Sequence, residues 1–226
     1  MVEPAIAFRD VAFAYGDGTT STQVIRSLSF DVAQQEILGL VGPSGCGKTT
    51  ILRLAADLIP GPSVGQILTD GISPSQARTS RRIALLFQRP ILLPWRNVLQ
   101  NVLLPAQIAG QPTEASHHKA NELLQLAGIA DFRTRPVHQL SGGMQQRVSL
   151  VRSLMSEPRL LYLDEPFVSL DEVVKEDLFQ LTQTVVSTLS LTVLHVSHSL
   201  EDSVLLCDRV AVLAPVSYTH LTLPTN

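Results

Sequence analysis

Gly42-Pro43-Ser44-Gly45-Cys46-Gly47-Lys48-Thr49 is the stretch on which the reading of this chain turns. The apolar run Ile37-Leu38-Gly39-Leu40-Val41 leads into it, and Ile51, Leu52, Leu54, Ala55 and Leu58 follow at helical spacing before Pro60-Gly61. Strand, tight loop and helix therefore succeed one another. Glycines in such a loop let the backbone pass close to an anion with successive N–H groups aimed at it, and the helix N-terminus adds partial positive charge. In this setting the pattern G-x-x-x-x-G-K-[ST] predicts a triphosphate cradle, with Lys48 reaching the β- and γ-phosphates and the Thr49 hydroxyl holding Mg²⁺.

A nucleotide site also needs a metal carboxylate and a group that activates water. Leu160-Leu161-Tyr162-Leu163-Asp164-Glu165 ends an apolar strand in two acids, at the carboxyl end where open parallel sheets bind ligands. Asp164 is the expected Mg²⁺ partner and Glu165 the expected general base. Neighbouring residues on a strand point to opposite sides, so this division of roles requires the chain to turn, and Pro166 is the expected turning point.

Outward from these two segments the chain alternates strands and helices. Residues 5–15 and 24–32 carry alternating apolar residues around Gly16-Asp17-Gly18 and predict an antiparallel pair forming an edge sheet. Short apolar runs at 37–41, 83–87, 160–163, 191–196 and 209–213 predict strands buried on both faces of a parallel sheet. Between Pro90 and Leu140 proline breaks and helical segments such as 120–127 predict a helical insertion. The fold class expected is α/β: a mainly parallel sheet, an N-terminal antiparallel β subdomain and an inserted α-helical subdomain at about 89–145.

Composition excludes several partners. The 226 residues are 45% hydrophobic with a net charge of -3, enough apolar material for one sizeable core and no basic excess for a phosphate backbone. Nucleic acid is not an expected partner. Two cysteines, Cys46 and Cys207, fit a reduced cytoplasmic chain rather than a disulfide scaffold. No signal-peptide pattern and no run of about 18 apolar residues occurs, so membrane contact is expected only through another protein.

Leu140-Ser141-Gly142-Gly143-Met144-Gln145-Gln146-Arg147 resembles the LSGGQ-type signature of the ABC ATPase family, and it precedes the acidic strand as in that family. Ser141 suits a helix N-cap, with Met144, Val148, Val151 and Met155 marking the buried stripe of the following helix. The resemblance covers most of residues 6–213 and implies a P-loop NTPase (RecA-like) core. It also implies a head-to-tail pair of copies in which Ser141, Gly142 and Gly143 of one cover the γ-phosphate held by the other, with Asp171 of Ser169-Leu170-Asp171 at the same seam. It further implies that Gln88 touches Mg²⁺ or water, that His198 contacts the γ-phosphate, that Tyr15 stacks on adenine, and that Gly42, Pro43, Ser44, Gly45, Cys46, Gly47, Lys48, Thr49 and Thr50 hold ATP. His195 alternates with Val193 and Val196 and reads as a packed strand residue. Ser199 departs from the acidic residue common in the family beside His198. His117 and His118 read as facing solvent.

Gln88-Arg89-Pro90-Ile91-Leu92-Leu93-Pro94-Trp95, with Asn101-Val102 following, is similar to the importer branch serving nitrate, sulfonates, taurine and related small solutes. The resemblance implies an ATP-hydrolysing subunit at the inner face of the membrane, coupled to a transmembrane permease. Ile91, Leu92, Leu93 and Trp95 are either core of the insertion or the apolar part of a groove for that permease. A soluble ABC ATPase of translation or DNA repair would carry tandem motor domains or a long coiled-coil insertion, and neither pattern is present. A non-hydrolysing, nucleotide-gated interaction module is opposed by Glu165 and His198. The stretch Val216-Ser217-Tyr218-Thr219-His220-Leu221-Thr222-Leu223-Pro224-Thr225 can be encoded by a sequence resembling a transposase adapter. Residues 216–226 are accordingly expected to be a non-native tail on a domain spanning 1–215 whose own end is truncated.

Overall fold

The computed structural model describes residues 3–16, 21–168, 170–214 and, for the backbone alone, 221–224. Asp17 and Gly18 of the expected turn, Ser169 of the expected seam, and residues 216–220 and 225–226 of the expected tail lie outside them. Two sheets organise the chain. The larger has the order β5 (Ile83–Phe87), β6 (Leu160–Asp164), β7 (Thr192–Ser197), β3 (Ile37–Val41), β8 (Arg209–Val212), β9 (Leu221–Pro224). The first five strands are parallel, and β9 runs antiparallel to β8.

Each central strand feeds two cores, because successive side chains leave opposite faces. Leu38 and Leu40 of β3, Leu160 and Tyr162 of β6, and Leu194 and Val196 of β7 pack with α1 (Lys48–Ala55) and the N-terminal sheet. Ile37, Val41, Leu161, Leu163 and Val193 face the other way. They meet α6 (Gly142–Leu154), α7 (Glu172–Leu189) and α8 (Leu200–Leu206). Burial on both faces is why these strands read as continuous apolar runs.

The second sheet is three-stranded, in the order β2 (Thr22–Val32), β1 (Ile6–Tyr15), β4 (Val64–Thr69), all antiparallel. The β1–β2 pair is as expected. β4 and the short α2 (Pro74–Thr79) that follows it are additions to the expected pattern. Val64, Gly65 and Gln66 are exposed, and only Ile67 and Thr69 of the strand are buried, so it offers little alternation to read. The chain between Pro90 and Leu140 forms α3 (Val98–Val102), α4 (Leu104–Ile108) and α5 (Glu114–Leu126). Capping boxes at Asn97 and Thr113 start α3 and α5, each side chain satisfying an amide that the helix leaves unpaired. Val98, Val102 and Leu124 bury these helices against Val148, Val151 and Leu154 of α6.

His195 packs in the middle of β7 as its alternation predicts, with its ring against Phe167 and both ring nitrogens unpartnered. Burial holds its pKa down at about 4, with Asp202 pulling weakly the other way. An unfolded histidine titrates near 6.5, so above that pH both states are neutral and the group does not alter stability. As pH falls from about 6.5 to about 4, the unfolded chain takes up a proton that the folded chain excludes, and stability is lost. Urea unfolding at pH 7 and pH 5 should therefore cost the parent about 2 kcal/mol more than a His195→Leu variant. Equal losses in the two chains would contradict the assignment.

Candidate nucleotide site

The loop between β3 and α1 turns on Gly45 and Gly47, with φ of 83° and 101°, a region where a side chain would be strained. Gly47 is the N-cap of α1 and brings no side-chain cap, so the first amides of the helix stay available to an anion. Lys48 is buried. Its Nζ donates to the carbonyls of Gly42 at 2.7 Å and Pro43 at 2.9 Å and lies 3.9 Å from the Cys46 Sγ. The loop thus wraps its own cation and fixes the ammonium beneath the glycine amides.

Across the cleft, the Thr49 hydroxyl donates to Asp164 Oδ1 at 3.2 Å. Burial pushes the Asp164 pKa up, while the Thr49 hydroxyl and the charges of Arg53 and Lys48 oppose the shift. The turn that separates Asp164 from Glu165 comes one residue earlier than expected. Asp164 is the last residue of β6 to pair with a strand, and Glu165 itself takes φ 50°, with its N–H donating to Val196 O at 3.0 Å. The left-handed backbone at Glu165, not Pro166, sends the two carboxylates apart. His198, just past β7, sets Nδ1 3.4 Å from Glu165 Oε2.

A cavity of about 440 Å³ is lined by Ser44, Gly45, Gly47, Lys48, Thr49, Thr50, Gln88, Asp164 and Glu165, whereas Gly42, Pro43, Cys46 and His198 are not on its wall. Val24 and Arg53 line it as well and were not anticipated. Arg53 lies one helical turn beyond Thr49 on the same face of α1, a spacing that could have identified it. Tyr15 stands beside the cavity rather than on its wall. Its hydroxyl is 3.3 Å from Thr50 Oγ1, its ring meets Phe13 edge-on, and 40% of the residue is exposed.

Ser141, Gly142, Gly143 and Asp171 are not brought into this cavity. Ser141 and Asp171 instead cap α6 and α7, their oxygens accepting from the amides of Met144 at 3.3 Å and Val174 at 3.1 Å. Gly143 is where the two helix starts touch: a Cβ there would lie 2.2 Å from Val174 Cγ1. Leu92 packs partly against the core, whereas Ile91 and Trp95 are 56% and 77% exposed, so those two are not interior residues. His117 and His118 are exposed. Among the described residues no helix is long and apolar enough to cross a membrane.

The ABC transporter family model matches residues 25–168. The taurine import ATP-binding protein TauB of Pseudomonas entomophila is 38% identical over 195 residues, covering 86% of this chain and 74% of that protein. Its counterpart from Jannaschia sp. is 36% identical over 197 residues, covering 86% and 72%. Among solved structures, cbiO1 from Clostridium perfringens, part of the ABC transporter complex cbiONQ, superimposes with a TM-score of 0.86 at 24% identity over 99% of this chain and 89% of that one. An ATP-binding cassette solved as a dimer in a post-hydrolysis state with ADP and Pi gives a TM-score of 0.81 at 26% identity, covering 98% and 99%. With the family model running from β2 through the acidic turn, this chain belongs to the ABC transporter family, as an ATP-binding and ATP-hydrolysing subunit.

Proposed function

We propose that the chain powers an importer for taurine or a related small solute, working as a pair of copies at the inner face of the membrane beneath a transmembrane permease. The likeness to taurine import proteins supports the solute class, and the Leu92-Leu93-Pro94-Trp95 segment with its exposed Trp95 supports a docking surface for the permease. The observation that carries the hydrolytic reading is one cleft holding Lys48, the Thr49–Asp164 pair and Glu165.

Thr49 Oγ1 and Asp164 Oδ1 form a hard-oxygen pair that fits Mg²⁺. Among the described residues no cluster of three or more His, Cys, Asp or Glu could hold a metal, as suits an ion that takes its remaining ligands from water and phosphate. When bound, Mg²⁺ would neutralise charge on the phosphate oxygens. Lys48 and the loop amides orient the triphosphate, Tyr15 stacks on the adenine, and Gln88 holds water at the mouth of the cleft. Glu165 takes the proton of the attacking water, and His198, beside it, steadies the charge that develops on the terminal phosphate. Ser141, Gly142, Gly143 and Asp171 of the second copy complete the same phosphate from the far side. Phosphate release from ATP tests this. The purified chain should hydrolyse ATP with Mg²⁺ and fall to background with EDTA, and metal-independent or absent hydrolysis would overturn the reading.

A further inference from the structure

Gln146 lies on the second turn of α6, is 1% exposed, and plays no part in the site as drawn above. Its Nε2 donates to Phe87 O and to Pro166 O, both at 2.9 Å. Phe87 is the last residue of β5 and immediately precedes Gln88. Pro166 immediately follows Glu165. The parallel ladder between β5 and β6 ends at the pair Phe87 and Asp164, and beyond it the two chains diverge, one into Gln88 and the other through the left-handed turn at Glu165. Both hydrogens of one amide reach across that gap, so the side chain supplies a rung where the backbone ladder has none.

We infer that Gln146 is a positioning residue for hydrolysis, setting the spacing between Gln88 and Glu165 by tying together the backbones on which they stand. Three features support it. The link is made by a single planar group, so the two carbonyls cannot separate without breaking a buried hydrogen bond. Gln146 Oε1 is buried without a partner, a cost that side-chain packing alone does not require, since an apolar residue of the same shape would avoid it. The residue also sits one turn from Gly143, where α6 meets Val174, so the helix that carries the signature loop is fastened to the turn that carries Glu165.

The inference rests on the hydrolytic reading above, and the test separates the two. Gln146→Met keeps the volume and removes both donors, and Gln146→Asn keeps an amide too short to span both carbonyls. In each variant kcat should fall about tenfold or more, the scale expected when a reacting group is misplaced by a fraction of an ångström. ATP affinity by equilibrium binding and KM should stay within about twofold, because the phosphate loop is untouched. In a Gln88→Ala background the cost of Gln146→Met should shrink to about threefold or less, as coupled residues are non-additive. Unchanged kcat, a parallel loss of ATP affinity, or full additivity with Gln88→Ala would each overturn the positioning role while leaving the function in place. A parent chain with no ATPase activity would remove the function, and this inference with it.

Discussion

Replacing Glu165 with Gln should leave ATP binding intact and cut turnover by about 10²- to 10⁴-fold. The amide matches the carboxylate in size, and the backbone hydrogen bond from the residue 165 N–H to Val196 O does not involve the side chain. What disappears is the only property asked of Glu165, the capacity to accept a proton from water. That loss raises the barrier by about 3 to 5 kcal/mol. Lys48, Thr49 and Asp164, the residues proposed to hold the nucleotide, are untouched, so the variant should accumulate with ATP bound. If closure on ATP needs two copies, size-exclusion chromatography with Mg²⁺ and ATP should move Glu165→Gln to the dimer position, where the parent returns to monomer as it hydrolyses. Turnover within about threefold of the parent would send the search for the base elsewhere.

Lys48→Ala acts one step earlier. The ammonium is buried against the carbonyls of Gly42 and Pro43 and interacts with the Asp164 carboxylate, and a triphosphate above the loop would add the further counter-charge on which binding depends. Truncating one partner of a buried charge pair costs about 2 to 5 kcal/mol, which corresponds to ATP binding weaker by about 30- to 5,000-fold. Titration with a fluorescent ATP analogue measures it. A thermal melt run in parallel distinguishes lost affinity from lost structure, since the variant also leaves two loop carbonyls without their donor. Affinity within about threefold of the parent would remove Lys48 from the cradle.

The central parallel strands β3, β6 and β7 were legible because each is buried on both faces, so Ile37, Leu160 and Val193 sit in runs that no exposed strand would carry. The phosphate loop and the acidic pair were legible because their chemistry demands residue types at fixed spacing. β4 escaped notice for the opposite reason: its first three residues face solvent, and its place in the sheet is set by pairing with β1, a long-range contact that no local pattern records. The turn at Glu165 escaped for a related reason. Proline advertises a bend, whereas a left-handed glutamate is held there by the structure around it. Trp95 and Leu92, three residues apart, differ in burial, the first exposed and the second half-buried, and apolar character alone could not separate them. Gln146 stood inside a motif read for its serine and glycines, and its carbonyl partners at residues 87 and 166 are neighbours only once β5 and β6 lie side by side.

The contact between Gly143 and Val174 has a thermodynamic consequence for assembly. A methyl group at residue 143 would wedge the starts of α6 and α7 apart, so their present closeness fixes how Ser141 and Asp171 are oriented toward each other inside a single chain. In the proposed pair of copies, the two elements that a sister copy would meet are thereby held close before encounter, so that docking need not bring one to the other. Association is favoured by the disorder that never has to be removed.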